Sequence, residues 1–227
     1  MHPWLRAARD GLADAADPAA AEPMRAYMKS PMPFRGVPKP ARERLLRTLV
    51  ADHPIDDADE LTTVADTLWT EATYREERYL AISLLGHKRY ARWAEPGWVP
   101  MYRRWIVTGA WWDFTDEIAG RHIGSLLRAY RPELTPVLRG WIGDPDRWLR
   151  RTSVICQLSA KAETDLDLLR DAVEANLDDP DFFLRKGIGW ALRQHARVDP
   201  DWVRAFVDEH PGLSPLSRRE ALKHLGE

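Results

Sequence analysis

The octapeptide DPDRWLRR at residues 144–151 returns as DPDFFLRK at residues 179–186, an offset of 35 residues. In each copy the leading Asp is a candidate N-cap, and Pro follows at the first helical position. A second acid then lies in the first turn, ahead of an aromatic-Leu-basic helix. WWDFTDEI, one period back, and YREERYLAISLLG, two periods back, are weaker copies. A period in the thirties filled by helix pairs indicates an α-solenoid of HEAT-like type, in which each pair buries its apolar face only against its neighbours. The expected fold is therefore all-α: stacked helix pairs forming one domain over residues 1–227, with no internal boundary. Such arrays present a concave surface along which long ligands lie.

The rest of the chain agrees with a helical reading. Apolar residues recur at three- and four-residue spacing, and alternating runs that would mark strands are absent. Prolines such as Pro40, Pro96, Pro132, Pro200 and Pro215 fall between the periodic segments and act as helix punctuation. About a dozen short helices are expected on this spacing.

Charge and cysteine usage narrow the function classes. The formal net charge is only −2, so a uniformly basic, nucleic-acid-coated surface is not expected. The charge is uneven: residues 1–77 hold 10 Lys+Arg against 14 Asp+Glu, and the remainder is net basic. Local clusters such as HKRYAR (87–92) and RWLRR (147–151) could bind phosphates from one face, or could simply be solvated. The single cysteine, Cys156, lies in the apolar run VICQL and reads as a buried structural thiol. One cysteine allows no intrachain disulfide, and the first twenty residues contain no signal-peptide core. A reducing cytoplasm is the expected compartment. No apolar run reaches membrane-spanning length.

Eleven tryptophans need sorting. In WWDFTDEIAG (111–120), Trp111, Phe114 and Ile118 follow i, i+3, i+7 and read as core. Trp112 and Asp116, at i and i+4, share a neighbouring face, so a large aromatic surface stands beside an anion. Asp113 reads as a first-turn helix-dipole acid, and Asp116 could be another. In FFLRKGIGWALRQHA, Leu184, Gly187, Ile188, Ala191, Leu192 and His195 form a core stripe. Trp190 falls about 120° from the stripe's reference residue, Leu184, beside Lys186 and Arg193. It is either a ligand platform or a ring packed under the adjacent repeat. Trp4, Trp69, Trp93, Trp105 and Trp148 are assigned to packing.

These segments resemble the AlkD-type DNA alkylation repair glycosylases, HEAT-like-repeat enzymes that remove alkylated purines. The likeness covers nearly the whole chain. It runs through MRAYMKSPMPFRGVPKPARERLL (24–46), YREERYLA (74–81), WWDFTDEIA (111–119), RWLRRTSVICQL (147–158), FFLRKGIGWALRQHA (182–196) and LSPLSRREALKHL (213–225). The resemblance implies that Trp112, Asp116, Arg151 and Trp190 line a lesion cleft on a concave DNA-binding face. It also implies that Tyr27 touches a DNA strand. Lys186, beside Trp190, is a further candidate DNA contact. The implied partner is duplex DNA containing alkylated bases, and a monomer is the default expectation for this architecture.

The residues suit that chemistry. Alkylation at purine N3 or N7 makes the base cationic and a good leaving group, so positive charge builds on the deoxyribose as the bond breaks. A fixed carboxylate, Asp116, can stabilise that charge and orient water. Trp112 and Trp190 can attract the sugar through their ring faces, and Arg151 can hold a phosphate with a bidentate fork. Most glycosylases flip the base into a pocket; the resemblance implies that this family leaves it stacked. No HExxH motif, cysteine pair or glycine-rich phosphate loop occurs, so no metal, nucleotide or redox cofactor is expected. The alternative is a non-catalytic HEAT-repeat scaffold that binds DNA, RNA or protein in its groove.

Overall fold

A computed structural model describes residues 2–225. Fourteen α-helices and no strand are found among the described residues. They group into two compact units, residues 1–94 and 95–227. The sequence repeat marks no boundary inside 1–227, so the division is a feature of the packing that the repeat does not signal.

The first unit contains α1 (Pro3–Asp14), α2 (Pro18–Met28), α3 (Lys39–Asp52), α4 (Ala58–Thr70) and α5 (Arg75–Leu85). Trp4, Leu12, Leu61, Leu68, Trp69 and Leu80 fill its core. The segment between α2 and α3 is held by one buried acid. Glu76 accepts hydrogen bonds from the consecutive amides of Arg35, Gly36 and Val37 at 2.9–3.1 Å. Gly36 sits at φ +81°, and a Cβ there would lie 2.0 Å from the Asp17 carbonyl oxygen, so this turn requires glycine. Glu77, also buried, accepts from the Thr73 and Tyr74 amides and from Arg9 Nε. Part of the acid excess of residues 1–77 is thus turned inward and spent on backbone amides.

The second unit contains α6 (Val99–Gly109), α7 (Trp112–Glu117), α8 (Gly124–Ala129), α9 (Arg131–Trp141), α10 (Arg147–Ile155), α11 (Leu166–Glu174), α12 (Phe182–His195), α13 (Pro200–Glu209) and α14 (Pro215–Leu222). The stripe expected on α12 is buried throughout, from Leu184 to His195. It packs with Val154, Ile155, Leu169, Val173, Val203 and Phe206.

The repeated octapeptide folds alike in both copies, with one correction to the expected cap. The N-caps are the second acids: Asp146 accepts from the Trp148 and Leu149 amides, and Asp181 from those of Phe183 and Leu184. The leading acids close the preceding turn instead. Asp144 accepts from the Asp146 amide and Asp179 from the Asp181 amide, each at 2.8 Å. The short Asp side chain bonds the amide two residues on, which favours a turn over a helix start. Proline therefore stands before the helix, not at its first position. The copies are also tied to each other: Arg147 pairs with Asp181 at 2.9 Å and Arg150 with Asp179 at 2.8 Å.

Between α7 and α8 the helix does not break. Residues Ile118–Ile123 form a π segment, so helical backbone runs from Trp112 to Ala129. The cause is legible in the burial pattern. Phe114, Ile118, His122 and Leu126 are buried, as are Thr115, Ala119, Ile123 and Leu127. A strict four-residue spacing drifts about 120° over twelve residues of α-helix at 3.6 residues per turn. The wider π turn absorbs that drift and keeps one face on the core.

Candidate active site

Asp116 lies on α7 two residues before the π segment, Arg151 is on α10, and Phe183, Gly187 and Trp190 are on α12. Within the second unit α10 packs against both α7 and α12. Arg151 Nε donates to Asp116 Oδ1 at 2.7 Å, and Nη2 donates to Oδ2 at 2.8 Å. Its remaining nitrogen, Nη1, donates to the Phe183 carbonyl oxygen. Glycine at 187 makes room for the guanidinium, since a Cβ there would lie 2.8 Å from Nη1.

In this structure the arginine fork already has a partner. The fork of Arg151 rests on Asp116, not on open solvent where a phosphate would bind, and the side chain is only 4% exposed. The reason is burial: an arginine drawn into the helix stack needs a carboxylate beside it, and Asp116 is the one that meets its fork.

Asp116 keeps a window to the outside, with 16% of its side chain exposed. Burial pushes its carboxyl above the ordinary range, the Arg151 bonds and charge pull it back, and the Asp113 charge adds a smaller upward push. A carboxylate has about four acceptor positions. Arg151 takes one on each oxygen, which leaves acceptor capacity for a ligand or water.

The aromatic residues divide as follows. Trp112, at the start of α7, and Trp190 are both half-buried. Phe114 and Ile118 are fully buried, as expected of core. Trp111 is half-buried and joins a ring cluster, with Phe183 at 5.4 Å and Trp148 at 6.2 Å between centroids. Its indole N–H is buried without a hydrogen-bond partner. Trp4, Trp69, Trp105 and Trp148 are buried, and Trp93 stacks on Tyr90.

Lys186 is exposed, with its ammonium 5.8 Å from the Phe182 ring. Tyr27, on α2 of the first unit, is 77% exposed. Lys29, with φ 48°, ends that helix.

Two further titratable groups of this unit are buried. His122 donates to or accepts from Tyr102 Oη at 3.1 Å, and burial lowers its pKa to about 3, so it is neutral. Burial pushes the Cys156 thiol up to about 12, which makes it a packing residue and not a nucleophile.

Sequence reasoning missed three features of this region. Gly187 seats Arg151. Gly189 lets α14 approach, since a Cβ there would lie 2.6 Å from Glu220 Cβ and 2.8 Å from the Ser217 carbonyl oxygen. The π segment is the third, and the unbroken four-residue spacing of apolar residues was its signal.

Residues 8–225 match the family described as DNA alkylation repair enzyme. A solved structure described as a predicted DNA alkylation repair enzyme from Enterococcus faecalis superposes with a TM-score of 0.84 at 30% identity, over 93% of this chain and 97% of that one. The Pseudomonas fluorescens alkylpurine DNA glycosylase AlkC, solved bound to DNA containing an abasic site analogue, gives a TM-score of 0.53 at 16% identity. That match covers 98% of this chain and 62% of the AlkC chain, and it is a likeness of fold. The all-helical architecture is that of the HEAT-like helical-repeat proteins of this class. No curated protein matches the sequence.

Proposed function

We propose, from the premise that this chain belongs to the DNA alkylation repair enzyme family, that it is an AlkD-type glycosylase. It would hydrolyse the N-glycosidic bond of cationic alkylated purines, such as 3-methyladenine and 7-methylguanine, in duplex DNA. The observation that carries the reading is Asp116: a mostly buried carboxylate, locked in one orientation by Arg151, on the same helix face as Trp112.

In this mechanism the C1′–N bond breaks and its electron pair leaves with the base, which the alkyl group has already made cationic. The base departs neutral, so no strong general acid is needed. Positive charge develops on the sugar and is stabilised by the Asp116 carboxylate, whose position costs no reorganisation. Trp112 and Trp190 present ring faces to the same charge, each contact being worth roughly 0.5–2 kcal/mol. Water then bonds to C1′, oriented through the free acceptor positions of Asp116, and its proton passes to that carboxylate or to solvent. Arg151 acts through Asp116 as a positioning residue. Its charge keeps the carboxylate ionised where burial would favour protonation. Lys186 and Tyr27 are proposed contacts to the DNA strands.

The deciding experiment incubates the purified chain with methylated duplex DNA and measures free 3-methyladenine and 7-methylguanine. Release that depends on Asp116 is the expected result. DNA binding with no release from any alkylated duplex would instead favour a non-catalytic scaffold.

A further inference from the structure

We infer that Phe182 is a DNA-contacting ring that meets the duplex outside the damaged nucleotide, an inference that rests on the glycosylase reading above. Three large hydrophobic residues are exposed among the described residues: Tyr27, Phe182 and Val198. Single exposed apolar side chains are common, so exposure alone decides nothing. Phe182 differs in what lies beneath it and in what lies along its helix.

Phe182 is 56% exposed in the first turn of α12. Its ring meets Phe183 edge-on at 5.4 Å, and Phe183 is wedged against Trp148 at 5.2 Å and Trp111 at 5.4 Å. The outward ring therefore rests on Phe183, which is itself held in a cluster with two tryptophans. An aromatic held this way loses little conformational freedom when a flat partner packs on it.

The row on α12 supplies the partner's chemistry. Phe182, Lys186, Trp190 and Arg193 stand at offsets 0, 4, 8 and 11, within an arc of about 80° at 3.6 residues per turn. Ring, ammonium, indole and guanidinium thus follow one another along one face. Arg193 is tied to Glu220 at 2.5 Å, whereas the Lys186 ammonium stays exposed beside the Phe182 ring. Alternating π faces and cations match a strand of stacked bases with phosphates along its edge. At 1.5 Å per residue, Phe182 stands about 12 Å from Trp190 along the helix axis. DNA rises about 3.4 Å per step. With Trp190 at the lesion sugar, Phe182 therefore reaches a nucleotide three or more steps away, or the opposite strand, and not the lesion itself.

The test uses full-length protein and duplexes containing a tetrahydrofuran abasic-site analogue, so it needs no base excision. 2-Aminopurine is placed in turn at each position within five nucleotides of the analogue on both strands. Wild type is expected to change the fluorescence at one or more flanking positions. Phe182→Ala should abolish that change and weaken binding about fivefold or more, the effect of losing one base–aromatic contact. Its salt slope should stay as in wild type, and Phe182→Tyr should restore the signal. Lys186→Ala, by contrast, should lower the slope by about one. If wild type binds and Phe182→Ala matches it in affinity and in fluorescence at every position, the inference is overturned while the glycosylase reading stands. If wild type fails to bind the abasic duplex, the glycosylase reading falls and this inference with it.

Discussion

Arg151 and Asp116 stand one 35-residue period apart in sequence and meet through two parallel hydrogen bonds of 2.7 and 2.8 Å. The repeat that builds the helix stack thus also sets the distance between the candidate catalytic acid and the cation that holds it.

Asp116→Asn keeps a side-chain acceptor for Arg151 and removes the charge. We expect the variant to fold and to bind duplex DNA, with base release reduced by about 10²–10³, the typical cost of losing one preorganised electrostatic partner. Single-turnover release of 7-methylguanine measures this. Release at the wild-type rate would remove Asp116 from the mechanism.

The pH profile should carry the mark of burial. Catalysis needs ionised Asp116, so excision falls as the pH drops through its pKa. Burial sets that value above the ordinary range, which is near 3.9. The acid limb of kcat/KM should therefore lie higher than an exposed aspartate would give. Stability runs the other way. A carboxyl with a raised folded-state pKa contributes stability below its unfolded value and loses it as pH rises through the folded value. Asp116→Asn should lack that component in melting curves taken across the same range.

Arg151→Ala should differ from a phosphate-contact mutant. It leaves a mostly buried carboxylate without its cation, so we expect a loss of about 3 kcal/mol in folding stability together with loss of excision. The salt slope of DNA binding should stay within error of wild type, because the fork rests on Asp116. A slope lower by about one would mean that Arg151 leaves Asp116 for a phosphate when DNA binds. Arg151→Lys retains charge but not the two-pronged geometry, and we expect intermediate stability with poor excision.

Two glycines should respond in opposite directions. Gly189→Ala forces a Cβ against Glu220 and Ser217 on α14, and overpacking of this kind costs about 1–3 kcal/mol. Gly140, in α9, has nothing within 4 Å of a Cβ. Gly140→Ala should raise stability by about 0.5–1 kcal/mol through helix propensity. Thermal melting of the two variants checks both. A stabilised Gly189→Ala would show that α12 and α14 are less tightly apposed than described.

The α12 stripe and the packing roles of Trp4, Trp69, Trp105 and Trp148 could be read from residue spacing, because periodicity reports which face is buried. The partner of a polar side chain could not. Arg151 reads equally well as a phosphate clamp or a carboxylate clamp until α7 and α10 are brought together, and that contact spans 35 residues. The cap of the repeated motif lies two residues beyond the one expected, because Asp144 and Asp146, like Asp179 and Asp181, are both good caps. Choosing between them depends on the turn before the helix, which propensity alone does not rank. The exposure of Phe182 is not legible in the sequence, since nothing in the chain says that its ring stays uncovered.

The π segment at Ile118–Ile123 has an evolutionary corollary. It marks a place where the helix carries one residue more than a regular spiral needs. Losing Gly120, whose Cβ position touches nothing within 4 Å, would convert one interval of four into an interval of three. That is the alternation an ordinary amphipathic helix prefers. Elsewhere in these helices a one-residue deletion swings everything beyond it by about 100°. Here the chain could shorten while Trp112 and Asp116 stay on the side they now face, which makes this spot a natural point for length variation among relatives.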